Sequence, residues 1–164
     1  MVEQMRPGDW AQLKAIYLEG IATGQATFES EAPSWEAWDA AHLRFARLVA
    51  RKGQTISGWA ALSPISRRQA YAGVAEVSVY VAANHRNAGV GRTLLDALIA
   101  ESERNGIWTL QAAVFPENAA TIALHLRCGF RVVGRRERIG KLNGEWRDTI
   151  LLERRSSLIG TGMK

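Results

Sequence analysis

Cys128 is the only cysteine in 164 residues. An intrachain disulfide cannot form, and a multi-cysteine metal site is excluded. Proline is scarce, with four residues in all, and Pro64 and Pro116 fall where elements end or begin rather than inside them. No apolar run approaches the roughly 20 residues that cross a bilayer, and MVEQMRPGDW has no positively charged lead into an apolar stretch. The expectation is a cytoplasmic protein whose mature chain begins near Met1, with no membrane partner. Concentrated charge is also missing. The net charge is +5, but Arg44, Arg47, Arg51, Arg67, Arg68, Arg86, Arg92 and Arg104 do not stack along one helix, and neither zinc-finger nor basic-zipper spacing occurs. This argues against a nucleic-acid partner. A small polyanionic ligand explains the basic excess equally well.

What is present is ordinary globular composition, 47% hydrophobic and 23% charged. A chain of this length fits one domain that buries about two thirds of its unfolded surface. We expect one domain over residues 1–155 and a flexible tail over 156–164.

Residues Val2 to Met5 read as a first strand, and Asp9 as the N-cap of a helix with Trp10, Leu13, Ile16, Tyr17 and Ile21 on one face. Ser34 caps a second helix, on which Trp35, Trp38, His42 and Phe45 recur at near-helical intervals. RLVARKGQTISGWAALSP reads as two strands about a Lys52-Gly53 turn. Val74 to Val81 is a strand with Ala75, Val77, Val79 and Val81 on one face and Glu76, Ser78 and Tyr80 on the other. A helix with Leu94, Leu95, Leu98 and Ile99 follows and stops at Asn105-Gly106. Then come a strand to Val114, a helix opened by Pro116-Glu117-Asn118 and closed at Gly129, and two strands, roughly Arg131 to Arg138 and Glu145 to Leu152, joined at Asn143-Gly144. Hairpins on either side of a strand-helix-strand core predict an α/β or α+β domain with a mixed sheet.

The segment HRNAGVGR follows a strand and opens a helix. Gly89 and Gly91 lack Cβ atoms, so backbone N–H groups between Arg86 and Arg92 can close on an anion, helped by the positive end of the helix. A dinucleotide fingerprint needs glycine where Leu94 stands, and a P-loop needs Gly-Lys-Ser/Thr, so both are excluded.

The spelling HRNAGVGR resembles the Arg/Gln-x-x-Gly-x-Gly/Ala signature of the GCN5-related N-acetyltransferases. Further on, PENAATIALHLRCGF is similar to that family's asparagine and Gly-Phe segment. Two ordered motifs about 30 residues apart are more specific than either alone. The resemblance covers nearly the whole chain. It implies a twisted, mostly antiparallel mixed sheet flanked by about four helices, with acetyl-CoA as cofactor. Its cradle would be Arg86, Asn87, Ala88, Gly89, Val90, Gly91 and Arg92, with Asn118 and the strand end Val79, Tyr80 and Val81. ATFESE, AEVSVYV, the histidine of ALHLRCGF and KLNGEWRD are similar to the phosphinothricin acetyltransferase branch. GIWTLQAAVFPENA resembles its arsinothricin-acetylating members. That branch implies detoxification of amino-acid-like antimetabolites and a homodimer, for which six tryptophans offer apolar area.

Acetyl transfer to an ammonium requires a proton acceptor, and Glu76 is the candidate, set between Ala75 and Val77 where partial burial makes a carboxylate a better base. Backbone N–H groups of Val79 to Val81 can face the oxygen on which negative charge grows. Many relatives place tyrosine seven residues after the asparagine. Here His125 stands there, as a thiolate acid or as a packed ring. For the small-molecule amine, Phe28 and Tyr71 are candidates to wall a slot, Arg67, Arg68 or Lys141 to meet an acidic group, and Glu29 to meet an ammonium. A polyamine or aminoglycoside acceptor, and a non-catalytic acyl-CoA sensor, are the rival readings.

Overall fold

The computed structural model describes residues 1–162. Strand β1 (Val2–Gln4) leads to α1 (Trp10–Ala22), α2 (Trp35–Ala41), β2 (Leu48–Lys52), β3 (Thr55–Pro64) and β4 (Val74–Val81). The second half carries α3 (Val90–Arg104), β5 (Thr109–Val114), α4 (Ala119–Arg127), β6 (Arg131–Leu142) and β7 (Glu145–Arg155). The seven strands form one sheet in the order β1-β2-β3-β4-β5-β7-β6. Every neighbouring pair is antiparallel except β4 and β5. Those two are joined through α3, the crossover that a parallel pair requires. Among the described residues, no helix is long and apolar enough to cross a membrane.

Local chemistry accounts for most boundaries. Ser34 Oγ accepts from the Ala37 N–H at 3.1 Å at the start of α2, and Asn118 Oδ1 accepts from the Thr121 N–H at 3.2 Å at the start of α4. Gly106 and Gly129, with φ of 81° and 88°, take the left-handed conformation that ends α3 and α4. Asn143 and Gly144, φ 51° and 82°, satisfy the two positive φ angles of a tight hairpin turn, so β6 and β7 pair over most of their length.

The sheet carries a core on each face. On one side α3 packs Leu94, Leu95 and Leu98 against Leu62, Ala75, Leu110 and Leu152. On the other, α1 and α2 enclose Leu13, Ile16, Trp38 and Trp59. Trp38 and Trp59 meet edge to face at 5.7 Å, and Trp10 and Trp35 pack beside Trp38. Four of the six tryptophans are therefore spent in this core rather than left for an interface.

Three expectations change. Asp9 does not cap α1 with its side chain. Its carboxylate accepts instead from Arg51 Nη2 at 2.6 Å and the Arg6 N–H at 2.7 Å, because a buried guanidinium is a stronger partner than a solvated helix end. Helix α2 stops at Ala41, and His42 is already extended, so Phe45 lies beyond it. Ser156, placed in the flexible tail by its sequence position, is 4% exposed. Its N–H donates to the Trp108 carbonyl, its hydroxyl donates to Glu103, and Arg155 holds the carbonyls of Ile159 and Gly160. Met163 and Lys164 lie outside the described residues.

Candidate active site

β4 and β5 pair at three positions only, Val74 with Thr109, Ala75 with Leu110 and Glu76 with Gln111. Beyond Glu76 the strands part. β4 stays paired with β3 as far as Val81, and β5 stays paired with β7 as far as Val114. The inner edges of Val77–Val81 and Ala112–Val114 are thus left without each other, and alternate N–H and C=O groups of β4 point into the gap. A cavity of about 310 Å³ occupies this split, walled by both strands, by residues 25–29 after α1, and by Asn118, Thr121 and His125 at α4.

Glu76 lines the cavity at the point of divergence, and its Oε1 accepts from Gln111 Nε2 at 3.3 Å. Alternation along β4 puts Ser78 and Tyr80 on the same face as Glu76, and all three line the wall. The Tyr80 ring stacks on Trp59 at 4.8 Å and meets the edge of Tyr17 at 4.9 Å. Gly20 on α1 allows this approach: a Cβ there would stand 2.8 Å from Tyr80 Cδ1. Burial pushes the Tyr80 hydroxyl far above the usual phenol range, reinforced by neighbouring Tyr17. Burial also raises Tyr17, partly offset by a hydrogen bond with Thr27. Both phenols are protonated at neutral pH.

His125 is 3% exposed. Its Nδ1 lies 2.7 Å from the Thr121 carbonyl oxygen, and its ring meets the edge of Phe130 at 4.9 Å. A carbonyl only accepts, so Nδ1 carries the proton in this contact and Nε2 is a bare acceptor. Burial lowers the imidazole pKa below its ordinary value, against the opposing Thr121 bond. The ring is neutral at pH 7, so it presents an acceptor rather than a proton.

The loop after α1 is held onto the cavity by residues from the far end of the chain. Arg147 on β7 lies over the Phe115 ring at 3.9 Å and donates to the Gly24 carbonyl at 3.1 Å and Gln25 Oε1 at 2.8 Å. Asn118 Nδ2 donates to the Gln25 carbonyl at 3.2 Å. Phe28 packs edge-on against Phe115 at 4.8 Å and close over Gly140. Glu29 is on the cavity wall beside it.

At the other end of β4 lies the glycine loop. Asn87 and Gly89 have positive φ, 61° and 81°, and Arg86, Asn87, Ala88, Gly89 and Arg92 are exposed. The first bond of α3 runs from the Thr93 N–H to the Gly89 carbonyl at 3.1 Å, so the N–H groups of Val90, Gly91 and Arg92 have no helical acceptor. These donors fit a pyrophosphate, and the open edge of β4 fits a chain of amides running from it to Glu76. Gly91 has a packing role as well, since a Cβ there would stand 3.2 Å from Leu124 and 3.6 Å from Val81.

The structure does not bring every expected residue to this site. Arg67, Arg68 and Tyr71 lie on the connection between β3 and β4, off the cavity wall. The Arg68 guanidinium sits 5.5 Å from the exposed Tyr71 ring. Lys141 lies over Trp146 at 4.6 Å. Among the described residues, no lysine or arginine lines the cavity, whereas two carboxylates do. Ser78, Phe115, Thr121, Thr149 and Arg147 escaped the sequence reading. Ser78 and Thr121 had local signals, Ser78 in its alternation with Glu76 and Thr121 in its place one helical turn from Asn118 and His125; the others reach the site through long-range pairing. Cys128 is buried, and burial pushes its thiol up to about 11, as suits a packed residue.

A split between parallel strands, with a glycine-started helix at one end and a carboxylate at the other, is the arrangement that the resemblance to acetyl-transferring enzymes implied. The chain belongs to the acetyltransferase (GNAT) family, whose profile matches residues 10–130. It is 34% identical to a phosphinothricin N-acetyltransferase of Alcaligenes faecalis over 160 residues, 93% of this chain and 81% of that protein. It is 31% identical to an L-methionine sulfoximine/L-methionine sulfone acetyltransferase of Pseudomonas paraeruginosa, covering 88% of each. The crystal structure of a phosphinothricin acetyltransferase from Sinorhizobium meliloti in complex with acetyl-CoA superposes with a TM-score of 0.83 at 29% identity, over 94% of this chain and 87% of that one.

Proposed function

We propose that this protein is an N-acetyltransferase that acetylates the amino group of a small amino-acid-like antimetabolite of the phosphinothricin, methionine sulfoximine or arsinothricin type, as a cytoplasmic detoxifying enzyme. The observation that carries the reading is the place of Glu76, a carboxylate where the open edge of β4 begins, in a chain similar along its length to acetyltransferases of such compounds. Acetyl-CoA is the donor and supplies the acetyl group as an activated thioester. The free N–H groups at the start of α3 hold its pyrophosphate, and the inner edge of β4 holds its amide arm. Asn118, engaged with Thr121 and Gln25, borders that path. Glu76 takes the proton from the acceptor's ammonium and frees its lone pair. Gln111, donating to Oε1, leaves the other carboxylate oxygen to do so. His125 is neutral with a bare Nε2, so we assign it to accepting an N–H rather than to protonating a thiolate.

One observation favours a second reading, a cationic acceptor such as a polyamine. Among the described residues, the cavity offers Glu29 and Glu76 and no cationic side chain. Free-thiol release from acetyl-CoA distinguishes the two. We expect turnover with phosphinothricin, arsinothricin, methionine sulfoximine or methionine sulfone, at a kcat/KM at least about tenfold above that for spermidine. The reverse order supports the second reading. Acetyl-CoA binding without turnover of any amine leaves the sensor reading in place.

A homodimer belongs to the same proposal. β6 is an edge strand, and the hairpin exposes Val132, Val133, Ile139 and Trp146 at 46–58%, an arrangement that association would cover. Sedimentation velocity should give twice the chain mass; a monomer at high micromolar concentration would remove the dimer.

A further inference from the structure

Thr149 is 4% exposed, and its Oγ1 is shut off from solvent with no partner among the described residues. A buried hydroxyl without a hydrogen bond is destabilising, and native folds keep few of them. This one lines the cavity that holds Glu76. The register places it further: Glu76 pairs with Gln111, and Gln111 with Glu153, so these three side chains leave the same face of the sheet. Thr149 lies four residues before Glu153 on β7, on the same face by alternation. Its side chain and that of Glu76 therefore leave the same face of the sheet and line one cavity.

The wall also carries the half-buried hydroxyls of Ser78 and Thr121, but among the described residues Thr149 has the one hydroxyl there that is shut off from solvent and left without a partner. Two carboxylates suit the ammonium end of an acceptor and repel its oxygens. Among the described residues no cationic side chain lines the wall, which leaves a neutral donor to meet an oxygen of the acceptor. We infer that Thr149 is a specificity-determining residue whose hydroxyl donates to an oxygen atom of the acceptor, on its carboxylate or on its phosphinate, sulfoximine or sulfone group. This rests on the reading of the acceptor as an amino-acid analogue.

The test is Thr149→Val, which keeps the shape and removes the donor, beside Thr149→Ser, which keeps the donor. For phosphinothricin and methionine sulfone, T149V should raise the acceptor KM about tenfold with kcat within about twofold. The acetyl-CoA KM should not move, T149S should restore the acceptor KM, and the T149V Tm should match or exceed the wild type. The Ki of 3-aminopropyl(methyl)phosphinate, which lacks the carboxylate, assigns the oxygen: a rise in T149V places the bond on the phosphinate, and no change places it on the carboxylate. An unaltered acceptor KM in T149V overturns the inference while the functional reading stands. A lowered Tm with donor and acceptor KM raised together overturns it in favour of a structural role. Wild-type silence toward every amino-acid analogue overturns the functional reading and this inference together.

Discussion

Glu76→Gln should lower kcat/KM for the amine by two to four orders of magnitude near neutral pH, and leave acetyl-CoA binding unchanged. The side chain stands at the divergence of β4 and β5, while the free N–H groups proposed to hold the pyrophosphate begin at Val90, so the two proposed roles are separated along the chain. Glutamine keeps the shape and can still accept from Gln111. What it lacks is affinity for a proton. The pH profile carries a second signature: as pH rises toward the acceptor's own pKa, more amine arrives without its proton, and the gap between variant and wild type should narrow. Undiminished kcat/KM at pH 7, with titrated acetyl-CoA binding intact, would remove Glu76 as the base and leave the family assignment untouched.

The second large effect concerns stability. Arg51 Nε donates to Glu3 Oε1 at 2.6 Å and its Nη2 to Asp9 Oδ2 at 2.6 Å, and the Arg51 and Asp9 side chains are only 8% and 7% exposed. Arg51→Met strands the Asp9 carboxylate with one remaining donor, the Arg6 N–H. Leaving such a charge unpaired should cost about 3 kcal/mol, or about 6–12 °C in Tm for a domain of this size. Burial of Asp9 would by itself raise its pKa, but the hydrogen bonds from Arg51 and Arg6 outweigh it and hold the carboxyl below its ordinary value. A depressed carboxyl stabilises the fold at pH above its unfolded value, about 3.9, and that contribution is lost as pH falls through the folded value. The wild type should therefore lose stability below about pH 4, and the difference between wild type and R51M should shrink there. Thermal melts at pH 7 and pH 3.5 test both halves. Equal Tm values at pH 7 would show that the pair contributes nothing.

Where interactions are local, the sequence is a good guide. The Ser34 cap, the opening of a helix at Pro116-Glu117-Asn118, the Asn143-Gly144 turn, the stop at Gly106 and the two-faced pattern of β4 are set by residues within a few positions of one another, and each appears as expected. The same holds for the glycine loop. Asp9 shows where this ends: its spacing before Trp10 is that of a cap, yet a guanidinium 42 residues away takes the carboxylate. On the acceptor side, Arg67, Arg68, Tyr71 and Lys141 lie off the cavity wall for the same reason. Arg67, Arg68 and Lys141 were candidates for their charge, and charge says nothing of which loop reaches a cavity. Phe28 does reach it, because Phe115 and Gly140 receive its ring and Arg147, 123 positions beyond Gly24, straps the loop down.

The sequence by itself determined the family, the donor and the face of β4 that bears Glu76, since these lie in contiguous motifs where alternation, glycine conformation and helix starts act over short range. Only the tertiary structure decided that β4 and β5 separate after Glu76, that Thr149 and Glu76 leave the same face, and that the cavity they line has carboxylates but, among the described residues, no cation. Those facts depend on strand register across the sheet. Register is a property of how whole strands pair and which cores they close, and no window of sequence around a single residue contains it.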